Sequence, residues 1–243
     1  MSFEQLDNLD GQTVVITGAN GAIARATAKR LSSIGATVIG IARTDNEELH
    51  QLYDRVYIAD VTDTEAVRTV AKDIPRCDIL INNAGWTKIV PHNDLDGLND
   101  QDLDKMLGVN LKSVYTTTRE FLPLLKQSNY AVIVNISSAS ANGAGYGSNV
   151  IYSATKSAIN SLTKDWARAL APKVRVISIS PPLVMDSDFS GWGREDKIKR
   201  GMRLPLKRGS NTEDIANTIE AYLTKIRFTT GVDVIVDGGR HLQ

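Results

Sequence analysis

Short β-branched runs alternate with helix-patterned stretches along almost the whole chain, and this alternation constrains the fold more than any other feature. Thr13 to Thr17 (TVVIT) is apolar and β-branched, Gly18-Ala19-Asn20-Gly21 interrupts it, and a helical pattern follows from Ala22 to Ile34. Gly35-Ala36 stops that helix before Thr37 to Ala42 (TVIGIA), the next expected strand. The rhythm predicts further strands over Val56 to Ala59, Ile79 to Asn82, Ala131 to Ile136, Arg175 to Ser180 and Val232 to Val236. Between them it predicts helices over Asp63 to Asp73, Asp102 to Lys126, Val150 to Ala171 and Thr212 to Thr224. Such a chain calls for a parallel sheet with helices on both faces and right-handed crossovers. With 243 residues, 42% of them hydrophobic, and no repeat, linker or break in composition, one domain over residues 1–243 is expected. The expected class is α/β: a doubly wound, three-layer parallel sheet.

Charge and cysteine content narrow the partners. Lys and Arg number 28 against 28 Asp and Glu, so no net field draws the chain to nucleic acid or an anionic membrane. No apolar run approaches the roughly 20 residues of a membrane span, and residues 1–10 are polar and acidic. The single cysteine, Cys77, has no partner for an internal disulfide and reads as a small core residue in a reducing compartment. A cytoplasmic protein is expected. Three histidines and one cysteine offer no metal-ligand cluster.

In a doubly wound sheet the ligand lies beyond the carboxyl ends of the strands, so the residues following each strand carry the functional information. After the first strand comes TGANGAIA, where Gly18 and Gly21 allow a tight turn and the opening helix presents unpaired N–H groups and a positive dipole end to a phosphate. Asn20 and Ala22 belong to the same loop. The second strand ends in Ala42-Arg43-Thr44. An acidic residue there would bind the ribose hydroxyls of NAD(H), whereas an arginine forms paired hydrogen bonds to a 2′-phosphate, so Arg43 points to NADP(H). Asp60-Val61 follows the third strand as an adenine-edge contact, and Asn82-Asn83-Ala84-Gly85 follows the fourth as scaffold and cofactor wall. Asn110 lies inside a helical pattern where asparagine is unfavourable, so it either faces water or is held inside for a reason.

Tyr152 and Lys156 stand four residues apart on one helix face, one turn from each other. A fixed cation beside a phenol favours the phenolate and brings tyrosine towards proton exchange near neutrality. Ser138, at the end of the fifth strand, supplies a hydroxyl to hold a substrate oxygen beside it.

Taken in order, Thr17-Gly18, Asn82-Asn83-Ala84-Gly85, Asn110, Ser138 and Tyr152-x-x-x-Lys156 closely resemble the short-chain dehydrogenase/reductase family, in its shorter single-domain branch. The resemblance runs from about Gln12 to Gly239 and includes VRVISISPPLV and TGVDVIVDGG. It implies a catalytic set of Asn110, Ser138, Tyr152 and Lys156. Tyr152 would be general acid in carbonyl reduction and base in alcohol oxidation. Lys156 would lower its pKa and bind the nicotinamide ribose, Ser138 would polarise the reacting oxygen, and Asn110 would kink its helix and hold a water in a proton relay. It also implies cofactor contacts at Ile23, Thr44, Pro181 and Val184, in addition to Gly18, Asn20, Gly21, Ala22, Arg43, Asp60, Val61, Asn83, Ala84, Gly85, Tyr152 and Lys156.

The chain departs from the family pattern at several positions. Ala22 and Ala24 replace the second and third glycines of TGxxxGxG, with an additional Gly21. Pro182 replaces the glycine of a Pro-Gly pair, and Asp186 replaces a threonine near the pyrophosphate, where a carboxylate repels unless it is turned outward; Ser187 is the alternative hydroxyl. By resemblance the substrate pocket is walled by residues 86–92 and 139–150 and a lid over about 183–206. Trp86, Tyr146, Val150, Met185, Phe189 and Trp192 would make it largely apolar. Residues 194–208 carry Arg194, Lys197, Lys199, Arg200, Arg203, Lys207 and Arg208 against Glu195 and Asp196, which reads as a solvated helix face or a docking site for an acidic group. His92 reads as a surface or lid residue.

The expected activity is an NADP(H)-dependent carbonyl reductase, reversible as an alcohol dehydrogenase, on a small-molecule substrate. 3-Oxoacyl thioesters are one substrate class, and sugars, polyols or other secondary alcohols another. Halohydrin dehalogenation on the same scaffold is disfavoured by Lys156 and the Gly18 turn, and a dinucleotide sensor without chemistry is the non-enzyme alternative. By resemblance, two-fold pairing of the helices over 102–126 and 150–171 would give a homodimer or homotetramer.

Overall fold

The protein is described by a computed structural model covering residues 6–143, 148–187 and 193–242. Its elements run β1 (Thr13–Thr17), α1 (Ala22–Ser32), β2 (Thr37–Ala42), α2 (Glu47–Leu52), β3 (Arg55–Ile58), α3 (Thr64–Asp73) and β4 (Ile79–Asn82). They continue with α4 (Asp100–Leu107), α5 (Ser113–Gln127), β5 (Val132–Ile136), α6 (Val150–Leu170), β6 (Arg175–Ser180), α7 (Arg194–Gly201), α8 (Thr212–Thr224) and β7 (Asp233–Ile235). The strands form one parallel sheet in the order β3-β2-β1-β4-β5-β6-β7. Strand order reverses at β1, which pairs with both β2 and β4, and a crevice opens there beyond the carboxyl ends.

The period-two alternation of strand side chains sorts the core into two layers. Val14 and Ile16, Ile79 and Ile81, Val132 and Val134, and Ile177 and Ile179 face α1 and α8, where Ala28, Leu31, Ile215 and Ile219 meet them. Val15, Leu80, Ile133 and Val176 face the other way, against Val67 and Val70 of α3, Phe121 and Leu125 of α5 and Ala167 of α6. Cys77 is fully buried in this second layer, and burial pushes its thiol up.

Polar groups inside the sheet come in satisfied sets, as burial requires. At the amino edge the buried Asp78 carboxylate accepts from Thr13 N (2.8 Å), Arg76 Nε (2.6 Å) and Ser128 Oγ (2.5 Å), joining β1, β4 and the end of α5. Between the strands, Asn82 Nδ2 donates to Asn135 Oδ1 (2.9 Å) and Asn135 Nδ2 to Thr163 Oγ1 (2.9 Å), while Thr117 Oγ1 donates to Asn82 Oδ1 (2.5 Å). This chain of amides ties α5 to α6 through the sheet.

One short helix, α2, was not expected from periodicity. α2 has six residues and is set by its Asn46 cap, whose Oδ1 accepts from Leu49 N, and by Glu47 and Glu48 in its first turn. α7 lies in the cationic segment, which reads as a helix face in the sequence. The long helix expected over Asp102 to Lys126 instead begins at Asp100, behind a capping box of Asn99 and Asp102, and is broken by a π turn over Gly108–Lys112 between α4 and α5.

Phe121 is the largest of the fully buried side chains. Its replacement by alanine is expected to cost about 3–5 kcal/mol. Urea denaturation checks this: the midpoint should fall with the slope unchanged.

Candidate active site

The first βα turn is built around Gly18, at φ +67°, where a Cβ would lie 2.8 Å from Ala84 Cα. Only glycine fits so close a backbone approach at positive φ. Asn83 locks the turn from the side: its Nδ2 donates to Thr17 O and Gly18 O (both 3.1 Å), and its main-chain N donates to Thr17 Oγ1 (3.0 Å). Gly21 begins α1 with no side-chain cap and no acidic residue in the first turn, whereas α2, α3, α4 and α6 carry Asn or Asp side-chain caps. The first N–H groups of α1 therefore remain available to an anion. Ala24, at the third glycine position, is buried in the core, so its methyl packs inward and not into the turn, while Ala22 lines the cleft.

At the adenosine end, Asn20 Nδ2 donates to Thr44 O (2.8 Å) and Asn46 Nδ2 to Asn20 Oδ1 (2.5 Å), fastening the loop that carries the exposed Arg43. Asp60 Oδ1 accepts from Thr62 N (2.8 Å) and Thr62 Oγ1 (2.7 Å). Burial raises the Asp60 pKa, but these bonds and the Arg43 charge outweigh it and hold the carboxyl below its usual range. Arg25, one helical turn beyond Gly21, also borders this end of the cleft and is ion-paired with Glu48. It escaped sequence reasoning, although its i+4 relation to Gly21 placed it on the same helix face.

Asn110 is fully buried in the π turn, and its amide is spent on protein groups. Oδ1 accepts from Trp86 N (2.7 Å), while Nδ2 donates to Trp86 O (2.9 Å) and Thr155 Oγ1 (3.3 Å). The side chain thus clamps the segment after Gly85 to the helix bearing Tyr152. Asn149 does similar work: its Oδ1 caps α6 by accepting from Tyr152 N (2.7 Å), and its Nδ2 donates to Lys88 O (2.7 Å).

Lys156 is buried, with Nζ donating to Ile136 O (2.8 Å) and lying 5.7 Å from the centroid of the Tyr152 ring. Ser138 is hydrogen-bonded to Tyr152 and anchors the 3₁₀ turn over Ala139–Asn142. Burial pushes Lys156 down to about 8 and Tyr152 up to about 12, the bond from Ser138 offsetting only part of the latter. Burial raises the Tyr152 phenol and the Ser138 bond lowers it; the lowering expected from Lys156 is not among the causes of the shift.

All the residues named for the nucleotide line one cleft of about 470 Å³, together with Ser138, Tyr152 and Lys156. Asn110 stands behind its wall. Asp186 also lines the cleft, and its carboxylate accepts from Thr212 N (2.9 Å) and Thr212 Oγ1 (2.7 Å) at the start of α8. Pro182 and Ser187 line the cleft. Of the residues expected to wall the substrate pocket, Trp86 lines the cleft, with Lys105 Nζ 4.2 Å from its ring centroid. Val150 lines a separate cavity of about 170 Å³, and Met185 packs over Gly209. His92 is half-buried and lines neither cavity. Tyr146, Phe189 and Trp192 lie outside the described residues.

The cationic segment is not uniformly solvated. Lys197 is buried, and its Nζ donates to Met185 O (3.3 Å) and Ser187 O, while Arg208 makes a two-pronged bond with Asp214 (2.7 and 2.8 Å). Among the described residues no group of three or more His, Cys, Asp and Glu could hold a metal, and no helix is long and apolar enough to cross a membrane.

A doubly wound parallel sheet with a glycine cradle at its switch point defines a dinucleotide-binding protein. The family model for short chain dehydrogenases matches residues 12–197. The chain is 30% identical to 3-oxoacyl-(acyl-carrier-protein) reductase FabG of Thermotoga maritima, over 95% of this chain and 98% of that one. It is 32% identical to bovine (Bos taurus) L-xylulose reductase, over 95% and 97%. The crystal structure of a Brucella melitensis 3-ketoacyl-(acyl-carrier-protein) reductase complexed with NADH superposes with TM-score 0.86 at 28% identity, covering 96% of this chain and 100% of that one. The chain belongs to the short-chain dehydrogenase/reductase family of oxidoreductases, whose members bind a nicotinamide dinucleotide.

The buried lysine makes stability depend on pH. Between about 8 and its ordinary 10.5, the unfolded chain holds the Lys156 proton and the folded protein does not, so folding stability gains with rising pH across that window. Denaturant titrations of wild type and Lys156→Met at several pH values should show wild type gaining on the variant between those limits, with a constant difference below them.

Proposed function

We propose that the chain is an NADP(H)-preferring carbonyl reductase, reversible as an alcohol dehydrogenase, acting on a small molecule. The observation that carries this is the meeting of a hydrogen-bonded Ser138–Tyr152 pair and the buried Lys156 with the Gly18 cradle in one cleft. The nicotinamide, when bound, supplies the hydride chemistry. The residues do the rest. Ser138 and Tyr152 hold the substrate oxygen between two hydroxyls, and Tyr152 delivers its proton to that oxygen in reduction or takes one in oxidation. Lys156, fixed by Ile136 O, sets the electrostatics beside the phenol and supplies a donor for the ribose. Gly18 and the start of α1 receive the pyrophosphate, and Arg43 receives the 2′-phosphate.

3-Oxoacyl thioester reduction is the narrower reading favoured by the ketoacyl reductase relatives, and a sugar or polyol by the xylulose reductase. Pairing of subunits would use α5 and α6, where half-exposed Tyr115 lies 6.3 Å from Trp166. A free, buried Cys77 suits the cytoplasm.

Tyr152→Phe should lower kcat by about 10²- to 10⁴-fold, the contribution of a general acid, with NADPH binding retained. Steady-state kinetics over a carbonyl panel and a fluorescence titration check this; near wild-type turnover would remove Tyr152 from its role. Wild-type nucleotide binding without turnover on any carbonyl would favour a sensor. Arg43→Asp should weaken NADPH about ten- to a hundredfold, the loss of charge-assisted bonds, and leave NADH little changed. Dissociation constants for both nucleotides decide it.

A further inference from the structure

Asp233 is an acidic residue in β7, at an element position where aspartate is disfavoured. Its carboxylate accepts four hydrogen bonds, filling the four lone-pair sites of an ionised group. Oδ1 takes Ser178 Oγ (2.9 Å) and Ser180 Oγ (2.6 Å) from the neighbouring β6. Oδ2 takes Asn142 Nδ2 (2.7 Å) and Asn160 Nδ2 (2.8 Å). None of the four donors is a cation.

The two donors on Oδ2 come from the two elements that carry the reacting side chains. Asn142 closes the 3₁₀ turn that Ser138 caps by accepting from Ser140 N, and Asn160 lies on α6 one turn beyond Lys156 and two beyond Tyr152. A single oxygen is therefore the common acceptor that spaces the serine turn from the tyrosine helix. Ser157 Oγ, donating to Ala141 O (2.9 Å), is a second and weaker tie between the same elements, made through one neutral hydroxyl. Asp233 lines no part of the nucleotide cleft.

We propose that Asp233 is a positioning residue that fixes the Ser138 hydroxyl relative to Tyr152, acting through Asn142 and Asn160. The inference rests on the oxidoreductase reading of the site. It predicts a defect in kcat and not in nucleotide affinity, because the cradle around Gly18 is built from other strands.

The test compares Asp233→Asn, which turns an acceptor oxygen into a donor facing donors, with Asn142→Ala at an exposed position, Ser178→Ala as a control on the other oxygen, and the exchange Asn142→Asp/Asp233→Asn. Misplacing a reacting group by an ångström costs up to about a hundredfold in rate, so Asp233→Asn and Asn142→Ala should each lose about ten- to a hundredfold in kcat with NADPH dissociation constants unchanged. Ser178→Ala should keep wild-type kcat, and the exchange should recover much of the loss by restoring the bond in reverse. Hydrogen exchange should accelerate in residues 137–143 of Asn142→Ala while the peptides around Gly18 stay as protected as in wild type. Wild-type kcat in Asn142→Ala, or nucleotide affinity falling in step with kcat, would overturn the proposal. If wild type turns over no carbonyl, the oxidoreductase reading fails by itself, and unchanged exchange in residues 137–143 would still overturn the role of Asp233.

Discussion

Everything in this molecule follows from a parallel sheet covered on both faces. Such a sheet leaves no wet surface along its strands, so a polar side chain there must find a partner inside or move to an edge. Asp78 settles the amino edge, and the Asn82–Asn135–Thr163 chain settles the middle. At the carboxyl edge the strands run out into loops, where Gly18 O is taken by Asn83, Ile136 O by Lys156, and the start of α1 is left open. The site lies where the sheet stops being able to hide polarity.

Around that edge several charges are answered by dipoles and not by opposite charges, two of them, Lys156 and Lys197, being buried. Lys156 donates to a carbonyl, Lys197 to the carbonyls of Met185 and Ser187, Asp186 accepts from the start of α8, and Asp233 takes two hydroxyls and two amides. Neutral partners satisfy a charge without cancelling it. Lys156 therefore keeps a depressed pKa of about 8, and the cleft keeps an ammonium whose attraction is not consumed by a carboxylate.

Much of this was legible in the residues. Strand and helix succession, the switch-point crevice and the set Ser138, Tyr152 and Lys156 follow from patterns with short periods and fixed order. Asn110 was singled out as an asparagine against helix propensity, and its burial in a π turn bears out the alternative that it is held inside. What could not be read were contacts between residues far apart in sequence. The bonds that hold the Asp186 carboxylate at Thr212 join residues far apart in the chain, and the grip of Lys197 on the segment before 188 is invisible in a run of cations that resembles a solvated face. α2 was missed because six residues hold too little periodicity, and only its Asn46 cap betrays it. The desolvation that sets Tyr152 near 12 depends on packing no local pattern encodes.

The π turn between α4 and α5 has a consequence for how this chain tolerates change in length. Such a turn accommodates one surplus residue in a helix. Deleting one residue of Gly108–Lys112 would let a regular helix close while α4 and α5 keep nearly their present phase, because five residues of a π turn wind about as far as four of an α-helix. What the deletion removes is the bulge itself, and with it the place from which Asn110 reaches Trp86 and Thr155. The long helices would survive the loss of a residue there, and the clamp would not.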